Sequence, residues 1–122
     1  MTTQITGTTT ANSGNCSLQE TNARDSKRVN ELFKSGVVSS KASCKESIDS
    51  VTEGLACDNK GNLFKCDNGI YVFMADCKTS STKMICAAVP NLKKPGVLTN
   101  CIPEKDVDER INLALECKGL SG

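Results

Sequence analysis

Apolar residues recur with helical spacing at both ends of the chain and with two-residue alternation in its middle. From about Asn22 to Ser35, Val29, Leu32 and Phe33 fall at i, i+3 and i+4. Gly36 follows as a stop and Thr21 or Asn22 can cap the start, so a first helix is expected there. At the other end Val107, Ile111, Ala114 and Leu115, extended by the stem of Lys118, form one stripe. Pro103 precedes it, Glu104, Asp106 and Asp108 sit at the positive end of a helix dipole and Gly119 follows, which predicts a helix over about Glu104 to Lys118. A shorter helix is expected from Ser43, where Ser43 and Glu46 have capping-box spacing and Cys44, Ile48, Val51 and Leu55 share a face.

The middle carries the strongest local signal. Leu63 to Cys66 and Ile70 to Ala75 are rich in β-branched, aromatic and apolar residues, and Asn68-Gly69 supplies the positive φ angles of a two-residue turn. The turn sets a register in which Asp67 opposes Ile70, Cys66 opposes Tyr71, Lys65 opposes Val72, Phe64 opposes Phe73 and Leu63 opposes Met74. Phe64, Cys66, Tyr71 and Phe73 then share one face, and Leu63, Val72 and Met74 on the other are the expected core side. Lys83 to Val89 reads as a third strand ended by Pro90, and Pro95-Gly96 marks a turn. Helices at both ends and strands between give an α+β domain, a short antiparallel sheet flanked by N- and C-terminal helices.

Composition narrows the chemistry. The 122 residues include 15 Lys plus Arg against 14 Asp plus Glu, no His and no Trp. Without a basic stripe, nucleic acid and membrane surfaces are poor partners. The lack of His removes Ser-His-Asp and Cys-His catalysis and imidazole metal sites. The eight cysteines contain no CxxC pair of the kind that holds zinc, so they read as four disulfides of a small disulfide-rich domain, with the 105 possible pairings left open. Such a chain belongs in an oxidising, extracellular compartment. Residues 1 to 14, dense in Thr, read as a disordered linker ahead of a cysteine-rich domain over 15 to 122. The first residues lack the features of a signal peptide, so a signal has been removed or the sequence is a piece of a longer chain. Asn15-Cys16-Ser17 forms the only glycosylation sequon.

From Cys57 onward the chain resembles carbohydrate-binding module family 19, the chitin-binding modules of fungal chitinases and related secreted proteins. The resemblance lies in Cys86-Ala-Ala-Val-Pro90 with Lys94-Pro95-Gly96, Cys101, Asp106 and Arg110-Ile111, in the Cys66-Asp67-Asn68-Gly69-x-Tyr71-Val72 hairpin, and in the first-helix pattern of Asn22, Asp25, Val29, Asn30 and Phe33. It spans about residues 15 to 118. Three departures stand out: the segment from Ala42 to Ala56 is longer than the corresponding loop, the second hairpin strand carries an extra residue before Cys77, and Cys16 and Cys117 add a terminal pair that can close the N-terminus onto the last helix.

The resemblance implies a monomeric, non-catalytic module that binds chitin by aromatic stacking and hydrogen bonding, without metal or cofactor. Its host would be a secreted fungal protein of the extracellular space or cell wall, with a tethered chitinase domain as one parent architecture. Sugar rings lie on flat aromatic faces, so the candidate site residues are Tyr71, Asn68, Phe73 and Phe64. Phe33 belongs to the helix core, and Phe64 with Phe73 reads either as a packed pair or as ligand-contacting rings. Tyr71, with a hydroxyl that favours a wet edge, is the expected stacking ring and Asn68 a polar neighbour. The aromatic content is low for a sugar binder. A secreted effector or inhibitor scaffold that grips a protein partner is therefore the alternative. A hydrolase is disfavoured, because the acidic residues sit on solvated positions and helix-dipole complementation explains those near 104 to 108.

Overall fold

The computed structural model describes residues 10–79 and 83–117, so the expectations for residues 1–9, Lys118 and Gly119 lie outside the described residues. Helix α1 spans Thr10–Lys34, α2 Glu46–Thr52 and α3 Glu104–Leu115; the strands are β1 Leu55–Cys57, β2 Asn62–Asp67, β3 Ile70–Asp76, β4 Met84–Pro90 and β5 Val97–Pro103, with a 3-10 turn at Cys77–Thr79. This is a small disulfide-rich α+β domain with helices near both ends.

Helix α1 starts well before the expected Asn22, inside the stretch read as linker. Gln19, Asn22, Ala23, Ser26, Val29 and Phe33 are all buried and follow one another at helical spacing. The N-terminal half of that stripe is polar or small, which hydropathy does not register. Gln19 is buried without a hydrogen-bond partner among the described residues, but Asn22 and Ser26, with the neighbouring Asn30, serve backbone. Asn30 accepts from the Ala88 N–H at 2.8 Å and donates to the Ala88 carbonyl at 3.0 Å, and the Ser26 hydroxyl donates to the same carbonyl. Asn22 donates to the carbonyls of Asn91 and Lys94 at 2.7 and 3.0 Å and accepts from the Gly96 N–H at 2.9 Å. Gly96 has φ 113°, and a Cβ there would stand 2.8 Å from the Val51 carbonyl oxygen. The first-helix asparagines and the Lys-Pro-Gly turn are thus two sides of one seam between α1 and the β4–β5 hairpin.

The strands form two sheets, one of order β1-β2-β3 and one of β4-β5, all antiparallel. The expected third strand forms but pairs with β5, which the pattern does not reveal because Thr99 and Asn100 interrupt its apolar run. The hairpin register holds from Asp67↔Ile70 through Phe64↔Phe73, and Asn68 and Gly69 take φ 53° and 83°. It then slips: Leu63 pairs with Ala75 instead of Met74, so Met74 is the extra residue of a β-bulge. Helix α2 is shorter than expected and lacks the capping box: Lys45 is its N-cap, Ser43 instead bridges to Ile70, and Leu55 belongs to β1. Helix α3 buries Val107, Ile111 and Ala114 as the stripe predicts.

All eight cysteines are paired, Cys16–Cys117, Cys44–Cys66, Cys57–Cys86 and Cys77–Cys101. Cys57–Cys86 staples the two sheets together, Cys77–Cys101 ties the 3-10 turn after β3 to β5, Cys44–Cys66 fastens the segment before α2 to the hairpin, and Cys16–Cys117 ties α1 to the end of α3. At about 2 to 4 kcal/mol each they rival the net stability of an ordinary domain. Four disulfides fit an extracellular protein. Among the described residues no helix is long and apolar enough to cross a membrane.

Candidate functional site

The hairpin faces are the reverse of the expectation. Tyr71 is 1% exposed and Phe64 3%, while Val72 and Met74 on the supposed core side are 42% and 51% exposed and Ile70 beside them 42%. The aromatic face packs inward, and of its rings only Phe73 emerges, at 54%. Leu63 remains buried because it lies beyond the bulge, paired across to Cys57 at the stapled end of the sheet.

Tyr71 is therefore structural. The segment leading into α2 closes over it: the Tyr71 N–H donates to the Ala42 carbonyl and the Lys41 N–H to the Tyr71 carbonyl, both at 2.9 Å, while Cys44–Cys66 holds that segment down. Burial pushes the Tyr71 phenol above its ordinary 10.0; the Lys45 N–H pulls against this and the Asp49 charge adds to it. The hydroxyl has no hydrogen bond of normal geometry. The segment from Ala42 to Ala56 covers the ring, and Tyr71 leaves almost no surface to a ligand. Asn68 is exposed at the hairpin tip, apart from the groove that Phe73 lines.

That groove has a volume of about 520 Å³. Phe73 and Phe64 line it together, their rings in an edge-to-face contact with centroids 6.1 Å apart and planes at 84°. Phe64 is the buried support and Phe73 the exposed ring. One wall is the segment from Gly36 to Ser40, which offers the Ser39 and Ser40 hydroxyls. The opposite wall is the turn between β1 and β2, which offers Asn59, Lys60 and Asn62.

The second wall is built by Asp58. One carboxylate oxygen accepts the backbone N–H groups of Lys60 and Asn62, and the other accepts the Asn62 amide, all at 2.9 Å. Partial burial raises the Asp58 carboxyl, but these donors from Asn62 and Lys60 and the Lys60 charge outweigh it and hold it below the ordinary 3.8. The Lys78 ammonium donates to the Lys60 carbonyl and the Cys77 N–H to that of Gly61, bracing the turn from behind. The two walls meet where Asn59 lies over Gly36: a Cβ at that position would stand 2.9 Å from the Asn59 amide nitrogen, and φ there is 81°.

Chemically the groove offers a half-exposed flat ring, amides, hydroxyls and one ammonium. Its single carboxylate, Asp58, is fully engaged in the turn. No cluster of metal-ligating side chains occurs among the described residues. A larger hollow of about 730 Å³ beside Lys83, Pro103, Glu104 and Lys105 presents neither an aromatic ring nor an amide side chain among the described residues. Asn59, Asn62 and the serines were not singled out by sequence. Asp58-Asn-Lys-Gly-Asn62 announces a turn, but nothing local says that the turn faces Phe73.

Comparison with protein-family models, with curated proteins and with solved structures produced no match to this chain.

Proposed function

We propose that this domain is a non-catalytic glycan-binding module whose ligand is chitin, the polymer of N-acetylglucosamine, carried on a secreted fungal protein and acting at the cell wall. The observation that carries the reading is Phe73. It stands half exposed on a buried aromatic support, inside a groove whose walls present amides and hydroxyls. A pyranose face lies well on such a ring, and neighbouring polar groups fix its orientation. The resemblance of the hairpin, the Lys94-Pro95-Gly96 run and the first helix to chitin-binding modules of family 19 points the same way and implies a tethered chitinase domain as one parent architecture. Catalysis is not part of this reading, since the groove lacks the pair of carboxyl groups that glycoside hydrolysis uses.

The test is sedimentation with insoluble chitin, using cellulose and β-glucan as controls, for the parent protein and Phe73→Ala. Chitin should retain the parent selectively. Losing one stacking ring should weaken binding by about 1 to 2 kcal/mol, or roughly five- to thirtyfold. Retention of a folded Phe73→Ala protein equal to the parent would remove the groove from consideration. The second reading, an effector or inhibitor that grips a protein, is favoured by the outer face of β3, where Ile70, Val72 and Met74 leave an apolar stripe in solvent.

A further inference from the structure

The groove exists because a strand-like segment peels away from β3. Ser43 bridges to Ile70, Ala42 and Lys41 take the outward N–H and carbonyl of Tyr71, and there the pairing stops. Lys41 adopts φ 66° and the Ala42 N–H turns back to the Ser39 carbonyl at 3.1 Å, which swings residues 36 to 40 away from the sheet. Backbone groups alternate in direction along an antiparallel strand. With those of Tyr71 pointing away from β2, those of Val72 point toward it and those of Phe73 point away again. Phe73 therefore sits one step past the end of the pairing, with its outward N–H and carbonyl unpaired among the described residues and its ring on the adjoining groove. The bulge at Met74 then ends the regular register.

An unpaired strand-edge N–H beside an apolar floor is a receptor for a secondary amide, as it is in strand addition. Resting on the glycan reading of this groove, we infer that the open edge of β3 at Phe73 reads the acetamido group of the bound sugar. The Phe73 N–H donates to the acetamido carbonyl oxygen while the pyranose lies on the Phe73 ring, so that one residue both stacks the sugar and distinguishes an N-acetylated unit from a bare glucose or glucosamine. The acetyl methyl group falls toward the apolar side of the groove, where Phe64 and Val38 line it. A sugar without the acetyl group leaves the N–H unpaired and that floor uncovered. Specificity would thus come from the main chain, which no side-chain motif in the sequence reports.

Titration of 15N-labelled protein with soluble oligomers of N-acetylglucosamine, glucosamine and glucose of equal length separates the possibilities. The expected result is a downfield shift of the Phe73 backbone amide and its protection from hydrogen exchange with the N-acetylated oligomer, and at least tenfold weaker binding of the other two. If the N-acetylated oligomer shifts the Phe73 ring and the Asn59 amide but leaves the Phe73 N–H unmoved, or if all three oligomers bind equally, this inference is overturned while the groove remains a glycan site. If no oligomer moves any resonance of the groove, the glycan reading fails and this inference fails with it.

Discussion

Asn22→Ala should be among the most damaging single substitutions in this protein, although Asn22 is neither apolar nor near the groove. Its side chain is 1% exposed and holds three backbone groups of the turn between β4 and β5, the carbonyls of Asn91 and Lys94 and the Gly96 N–H. Alanine leaves all three without their partner, and the bonds through Asn91 and Gly96 are buried. At about 1 to 3 kcal/mol for each buried orphan, the loss comes to about 3 to 5 kcal/mol, a large part of a typical domain's net stability. Thermal unfolding followed by circular dichroism without reductant should show a fall in Tm on the order of 15 °C. Asn22→Asp is the sharper probe: it keeps the volume and an acceptor for Gly96, but turns a carboxylate oxygen toward two carbonyls and should destabilise comparably. Shifts below about 3 °C for both variants would refute the reasoning, because the seam would then carry no weight.

Acid should weaken the groove through Asp58. Its folded carboxyl lies below the ordinary 3.8, so its contribution is complete above that value and is lost as pH falls through the folded pKa; chitin binding should be flat from neutral pH to about 4.5 and decline below 3.8, and Asp58→Ala should abolish the decline. The single tyrosine permits an opposite test at high pH. Because the Tyr71 phenol is raised above 10.0 in the folded protein, the unfolded chain ionises first and stability falls above about pH 10. Absorbance of the phenolate should then appear only together with unfolding, and reversible ionisation near 10 in a protein with an unchanged circular dichroism spectrum would contradict the burial of Tyr71. Replacing Cys16 and Cys117 by Ser opens a link across a separation of 101 residues and should lower stability by about 2 to 4 kcal/mol in denaturant titration. Chitin binding should survive, since the groove segments are held by Cys44–Cys66 and Cys57–Cys86.

Local features of the chain were sufficient for much of the architecture. The Asn68-Gly69 turn set the hairpin register as far as Phe64↔Phe73, because two consecutive positive φ angles permit only one short connection. The stripe of Val107, Ile111 and Ala114 placed the last helix, and eight cysteines without a CxxC pair announced full oxidation. What sequence could not supply was whatever one segment does to another distant from it. In the middle of α1, Asn22 and Ser26 are buried because they meet backbone of β4 and its following turn, and such polar positions look solvated until the partner is present. The same holds for Asn22, Asn30 and Gly96, which hold the chain together and do not line the groove. Which side of the hairpin is wet was decided by the segment from Lys41 to Thr52 folding over Tyr71, so that a phenol expected at the surface became core and Phe73, two residues on, was left at the edge where that cover ends. Period-two patterning assigns residues to faces; only packing decides which face meets water, because the free energy of burial belongs to the pair of surfaces and not to either strand.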